Sequence, residues 1–465
     1  MNEAISVIKL RLVADEKISA CLDDQSRKCN SLYNRLLEEA NRLKEQFKKT
    51  GNAEYAKILY SPRGLRNLVP IIKNANPYFK SVYAAPLKNT ALRLTASITA
   101  YQDSNKGKRA GKKTGWPQFR SWKDSWFSLF YDEPYKGYQV IKNTLHVSLG
   151  LGMDRKRKTL QIPLPEGHLL KNKKIRSLRI VKEANVFSAV FTVMQTVPDT
   201  KPIQKIIALD PNHKNLAYGV DNDGVAVEIE APAWLKIYDK RVDELKSKRD
   251  RCKKKSRLIN VLDDKGVVIK QRWESSRRFK KIDLTYKAVL AKRREHTKLF
   301  CYRTANILYK RYDLVAVGDY VPHGQGITTL MRRAMNNRSL IGRFKNILAW
   351  VAIKSGKSYR EFAEKGTTRT CHACLHVMDG GLDPSIRQWT CPGCTTNHLR
   401  DENAACNGLI KILRNVDKEC GESFPQVPRL GRVAIKERWA WRVLPSGAIV
   451  RRGGKTAEVS APARN

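Results

Sequence analysis

The sequence predicts an α+β protein of more than one domain. Three observations predict it. Strand-like alternation of apolar and polar residues occurs at 1–16 and 132–200 and returns after 203. Amphipathic helical patterns fill the intervals. Two CxxC pairs sit near the end of the second α/β stretch. At 465 residues and 42% hydrophobic content, the chain can bury two or three cores. Its composition is far from that of a disordered chain.

The first strand is read from the order Ile5, Val7, (Ile8), Leu10 and Leu12. A helix over 25–47 keeps Leu32, Leu36, Leu37, Ala40, Leu43 and Phe47 at 3.6 spacing. A second helix spans about 86–102, with Pro86 in its first turn. Residues 105–120 form a basic, glycine-containing loop, and 116–131 are dense in aromatic rings. Most of those rings are expected in a core, while the basic loop is expected to meet phosphates. β-Rich segments up to 197, with the first strand, are expected to close a small barrel around the helical insert. After the linker-like PDTKP, the stretch 203–230 reads as three strands. Two long charged helices (about 235–260 and 272–311), the buried strand LVAVG, a helix at 336–355, the possible strand SYREFAE and a helix at 401–414 follow. Residues 416–465 read as a basic, irregular tail.

The net charge is +45, from 89 Lys and Arg against 44 Asp and Glu. Self-repulsion of that size opposes a compact state unless a polyanion neutralises it, so a nucleic-acid partner is expected. No run of roughly 18 apolar residues is present, so no membrane span is expected. The N-terminus has no basic segment followed by an apolar one, so no secretory signal is read and a cytoplasmic location is expected.

Ten cysteines are present, four of them as Cys371-His-Ala-Cys374 and Cys391-Pro-Gly-Cys394, sixteen residues apart. Each CxxC turn presents two sulfurs to one ion, and two turns complete a tetrahedral shell. Structural Zn2+ in a ribbon over about 366–399 is the reading. Four thiolates leave no open coordination position, so the ribbon is not expected to catalyse. His372, His376 and His398 are surplus to this shell. Asp210 ends the strand IIALD, and Asp401 opens the helix after the ribbon. Each has a plain alternative, as a turn residue or a helix-capping acid.

The residues IIALDPNHKNLAYGVDNDG, TTRTCHAC…CPGC and RDENAACNGL together resemble the TnpB family of insertion-sequence nucleases, relatives of the compact type V CRISPR effectors. The likeness is specific from 203 to 410. It implies a β-barrel wedge (1–16 and 132–200), a helical recognition insert (17–131) and a RuvC/RNase-H-like α/β domain (203–415) with an inserted zinc ribbon. It also implies a guide RNA, a double-stranded DNA target and cleavage with Mg2+, in a prokaryotic, nucleoid-associated protein. Whether the chain acts as a monomer or a dimer stays open.

Family sites use Asp, Glu, Asp. Asp210 and Asp401 match the outer two, but Gly318 stands where the family commonly has Glu. Some relatives carry that Glu just upstream of the ribbon, where this chain has Glu364. Asp319 is an alternative, but adjacent strand residues face opposite ways, so Glu364 is preferred. Glu402 is a third candidate, about 100° around the helix from Asp401. The catalytic set implied is Asp210, Glu364 and Asp401. Phosphate contacts are expected from Lys108, Arg109, Lys112, Lys113, Lys246, Lys248, Arg249, Lys253, Lys254, Lys255, Arg343 and Lys345. Two alternatives stay open: a nuclease-inactive, RNA-guided DNA-binding regulator, and a non-enzymatic zinc-ribbon RNA-binding protein.

Overall fold

A computed structural model describes residues 2–109, 113–121, 126–152, 156–212, 215–262, 266–319, 339–383, 386–420, 440–443 and 449–451. The chain divides into two compact units, Glu3–Gln195 and a second that runs from Thr196 onward.

The first unit begins with β1 (Asn2–Arg11) and α1 (Glu16–Thr50). Asp15 starts the helix by accepting a bond from the Ile18 N–H at 2.7 Å, satisfying one of the donors a helix start leaves open. α2 (Ala53–Tyr60), α3 (Gly64–Ala75) and α4 (Ala84–Asn105) follow. The strands are β2 (Leu129–Tyr131), β3 (Tyr138–Ile141), β4 (Thr144–Leu151), β5 (Arg157–Pro163), β6 (Lys174–Glu183) and β7 (Val186–Val197). They form an open four-stranded sheet, β1-β7-β6-β2, and a three-stranded sheet, β3-β4-β5. The expected closed barrel is therefore corrected: among the described residues the two sheets are not joined into one ladder. The expected phase of β1 is corrected too. Ile5 and Val7 are more than half exposed, while Ile8, Leu10 and Leu12 face inward. Helices and sheets share one core, in which Leu32, Leu36, Leu94, Phe127, Tyr131 and Phe191 are fully buried. Of the aromatic cluster, Phe127 and Tyr131 are core and Trp116 and Trp126 pack against it, as the sequence suggested, while Phe119 is exposed and Trp122 lies outside the described residues.

The second unit is built on a seven-stranded sheet. β8 (Ile206–Pro211), β9 (Ala217–Asp221) and β10 (Ala226–Ile229) form an antiparallel meander. α5 (Ala233–Lys253) then leads to a hairpin, β11 (Arg257–Leu262) and β12 (Val268–Glu274), and α6 (Arg277–Arg311). That hairpin replaces part of what reads as continuous charged helix, and Lys254 ends α5 instead of continuing it. β13 (Leu314–Gly318) lies parallel to β8, and α7 (Ile341–Ser355) follows. α7 stops at Gly356 (φ 62°), where a Cβ would stand 2.5 Å from the Asp199 carbonyl oxygen, so glycine is required there. β14 (Ser358–Phe362) pairs in parallel with β13. The ribbon carries β15 (Gln388–Thr390) and β16 (Asn397–Leu399), and α8 (Arg400–Cys420) emerges from it. Two segments of the expected irregular tail, β17 (Ala440–Val443) and β18 (Ile449–Arg451), extend the sheet beside β10.

Alternation along the central strands sorts the two faces. Ile207, Leu209, Val315 and Val317 pack against α6 and α7. Ile206, Ala208, Leu314 and Ala316 pack against Ala405, Cys406, Leu409 and Leu413 of α8. α8 approaches closely because Gly408 receives the Phe362 ring; a Cβ there would lie within 2.6 Å of it. No helix among the described residues is long and apolar enough to cross a membrane.

Candidate metal and carboxylate sites

The four cysteines converge. Their sulfurs all lie within 4.8 Å of one another, with Cys371–Cys394 and Cys374–Cys391 each at 3.6 Å. A regular tetrahedron of sulfurs about 2.3 Å from a central ion has edges of about 3.8 Å, so the donor set fits a four-thiolate metal site. The Thr396 side chain, followed by its backbone, stabilises the Cys394 thiolate and brings its pKa down to about 6. His398, set aside at the sequence level, is buried with Nε2 3.1 Å from Cys371 Sγ, and its ring lies against Trp389 and His372. It is part of the ribbon's interior, close to the sulfurs.

The second site forms where β8, β13 and β14 end. Val317 pairs with Leu209, which sets Gly318 one step on, alongside Asp210. Gly318 itself pairs with Phe362, two residues before Glu364. Asp210 shares the α8 face of the sheet with Ala208 and is 8% exposed. Burial raises its pKa well above the usual carboxylate value, and the nearby Glu364 and Asp401 charges raise it further, against a smaller opposing effect of Arg400. Two acids from distant segments thus act on Asp210 electrostatically.

Glu364 sits where a side chain at 318 would be. A Cβ built on Gly318 would collide with Glu364 Oε1, and would lie 2.6 Å from its Cγ and 2.7 Å from its Cδ. Asp319 plays a different part: its Oδ1 accepts a 3.0 Å bond from the Glu364 backbone N–H. Glu402 is buried in the sheet–helix interface and accepts from the Tyr218 hydroxyl at 3.0 Å, a packing role. Asp401, in the first turn of α8, is held by Arg387 at 3.1 Å and by the Asn212 amide at 3.4 Å. Sequence reading missed both partners. Asn212 had a signal, two residues beyond Asp210 in the same strand-end turn; Arg387 had none. It also missed Asn403 and Asn407, whose i,i+4 spacing in an otherwise apolar stretch of α8 marks one row of the helix. Their amides bind the Thr367 and Thr370 carbonyls, and Asn403 also accepts from the His372 N–H.

The expected phosphate-binding residues divide. Lys108, Arg109, Lys113, Lys246, Lys248, Lys253, Lys254, Lys255 and Arg343 are exposed. Lys248 and Lys255 line an open pocket of about 520 Å³ with Arg251 and Arg278. Arg249 pairs with Asp250 and Asp283 and lies over the Tyr286 ring. Lys345 pairs with Glu361 at 2.6 Å and donates to the Gly318 carbonyl at 3.1 Å, so it braces the site's strand end. Lys112 lies outside the described residues.

Comparison with known proteins places these features. Residues 342–408 match the family model described as "Cas12f1-like, TNB domain". The stretch covers the ribbon and the start of α8. Two Mycobacterium tuberculosis proteins, provisionally named RNA-guided DNA endonucleases, are each 51% identical to the chain over 41 residues. Those matches span 9% of this chain and 8% of each relative. A Cas12f1 structure, solved with its guide RNA and target DNA, superposes with a TM-score of 0.54 at 12% identity. That alignment covers 85% of this chain and 83% of the other, so the two share a fold. The chain resembles the TnpB family. Its fold is shared with Cas12f1, with α+β content and, among the described residues, unclosed sheets in the first unit. At the end of β13 stands Gly318, and the Glu364 carboxylate fills the space above it.

Proposed function

We propose that the protein is an RNA-guided DNA endonuclease. A guide RNA pairs with one strand of double-stranded DNA, and a RuvC-like site of Asp210, Glu364 and Asp401 hydrolyses phosphodiester bonds. The observation that carries this reading is the Glu364 carboxylate in the space over Gly318, close enough to Asp210 to raise its pKa. The names of the relatives and the contents of the Cas12f1 complex support it. Strand order β10-β9-β8-β13-β14, with three antiparallel and two parallel members, supports a RuvC/RNase-H-like reading of 203–415. Segments 1–16 and 132–200 would then be the wedge, 17–131 the recognition part and 366–399 the ribbon.

The cysteine tetrahedron would hold zinc and support folding. Asp210, Glu364 and Asp401 would hold magnesium, because a buried Asp210 with two further carboxylates acting on it suits a hard cation. Bound there, magnesium would stabilise the anionic charge that phosphodiester hydrolysis develops. Asp210 supplies a rigid oxygen donor, since its strand is bonded on both sides. Asp401 must exchange its Arg387 partner for the ion. Lys108, Arg109, Lys113, Lys246, Lys248, Lys253, Lys254, Lys255 and Arg343 would contact phosphates; Arg249 and Lys345 have protein partners and are left out of that set.

The test is cleavage of a matched DNA by the purified protein with its RNA and magnesium. Asp210→Ala and Glu364→Ala should each reduce cleavage to background. Gly318→Glu alone should also impair it, because two side chains compete for one space. Gly318→Glu combined with Glu364→Ala should restore cleavage, by returning the acid to the strand. Cleavage that survives Glu364→Ala sinks the reading. Tight target binding without cleavage in the parent protein supports the regulator instead, and RNA binding without DNA recognition supports the zinc-ribbon RNA-binding protein.

A further inference from the structure

We infer that Asp319 is a positioning residue for Glu364, joined in that task by Lys411; this rests on the reading of Glu364 as the relocated acid. An acid carried on a loop lacks the ladder that holds Asp210 in place, so its backbone needs other restraints. The structure supplies them. The Asp319 N–H donates to the Phe362 carbonyl at 2.9 Å, and Asp319 Oδ1 accepts from the Glu364 N–H at 3.0 Å. These two bonds bracket Ala363 and continue the β13–β14 pairing past its last residues, with a carboxylate standing in for a backbone carbonyl. The Glu364 carbonyl accepts from the Thr367 N–H at 3.0 Å and from its hydroxyl at 2.8 Å. Lys411 of α8 donates to the carbonyls on either side, Ala363 at 2.7 Å and Lys365 at 3.0 Å.

The loop is thus fixed at each peptide from 362 to 365, and the Glu364 side chain is directed over Gly318. Asp319 and Glu364 are not competing candidates for one role. Asp319 works through an acceptor oxygen on a backbone N–H, which does not require its charge. A metal ligand at 319 would require the charge. That difference makes the assignment testable.

The experiment compares Asp319→Ala, Asp319→Asn and Glu364→Ala in the full chain with its RNA. Three readouts are taken: target cleavage, Mn2+ affinity by calorimetry, and amide exchange of the 362–370 peptide by mass spectrometry. Asp319→Ala should cut cleavage and Mn2+ affinity by about 10- to 100-fold, the usual scale for losing a group that orients a metal ligand. It should also speed exchange of the loop peptide. Asp319→Asn keeps an acceptor oxygen, so it should recover cleavage and affinity to within about threefold of the parent and restore slow exchange. If Asp319→Asn is as inactive as Asp319→Ala while loop exchange stays slow in both, Asp319 is itself a ligand and the inference falls. If Asp319→Ala matches the parent in all three readouts, it falls as well. Failure of the underlying reading looks different: Glu364→Ala then leaves cleavage and Mn2+ affinity intact, while the exchange contrast between the two Asp319 variants still reports the positioning.

Discussion

The cysteine cluster and the carboxylate cluster, both proposed above to hold metals, are built in opposite ways. All four sulfurs come from residues 371 to 394, in two tight turns that pre-form the shell locally. The carboxylates come from segments spread between residues 210 and 401, and meet because β8, β13 and β14 are adjacent and α8 lies across them. The ribbon's donors are set a sulfur–sulfur edge apart, as a closed structural shell requires. Glu364 and Asp401 raise the pKa of Asp210, and Asp401 rests against Arg387. A closed shell stabilises a fold. The acids, by contrast, are gathered by the fold and not by local sequence.

The largest effect should come from breaking the local site. Cys391→Ser should reduce zinc from about one ion per chain to near zero, because zinc-finger peptides draw roughly 10–16 kcal/mol of apparent stabilisation from their ion. Metal analysis by plasma emission checks this. Asn403 links the ribbon to α8, so amide protection should fall at the start of α8 as well as in the ribbon. Protection loss confined to 366–399 would show the two sites to be mechanically separate.

A smaller and opposite effect is expected at Asp210. Its folded pKa is raised above its unfolded value of about 3.9, so its contribution to stability is fully present below that value and is lost as pH rises through the folded pKa. Asp210→Asn should therefore raise the melting temperature of the magnesium-free protein at pH 8 by roughly 2–4 °C. The gain should shrink toward pH 4. Calorimetric scans at several pH values check it, and a lowered Tm at pH 8 would contradict the picture of a charge-strained site.

The smallest effects separate free from engaged cations. Lys248→Ala should lower the slope of log affinity against log salt by about one, as for loss of one phosphate contact. Arg249→Ala should leave that slope alone and cost at most about 1 kcal/mol of stability, since the pair it loses is partly exposed. Binding titrations across a salt series distinguish the two. Equal slopes for both variants would mean that the ion pair at Arg249 opens on binding.

Much of this was legible beforehand. Helices at 86–102 and 401–414, and the strands around Asp210 and Gly318, follow hydrophobic period. The hairpin Arg257–Glu274 was not, because Lys- and Arg-rich sequence looks equally at home on a charged helix face and on an exposed hairpin. Nor were Ala440–Val443 and Ile449–Arg451, whose strand identity depends on pairing with Ala226–Ile229 more than two hundred residues earlier. Barrel closure was over-read, since alternation predicts strands but not whether their edges meet. Nor does the sequence reveal that Lys345 and Arg249 are engaged within the protein; the acids that pair with them, Glu361 and Asp283, are brought near by the fold.

By itself the sequence determined the charge, the thiolate spacing and the candidate acids, because each is a property of composition or of a few adjacent residues. Only the tertiary structure decided how Glu364, Asp319 and Gly318 relate. Parallel pairing of β13 with β14 puts Glu364 over a residue without a side chain and puts Asp319 on its backbone N–H. No local pattern encodes that placement, because it depends on the register of two strands joined by a long connection.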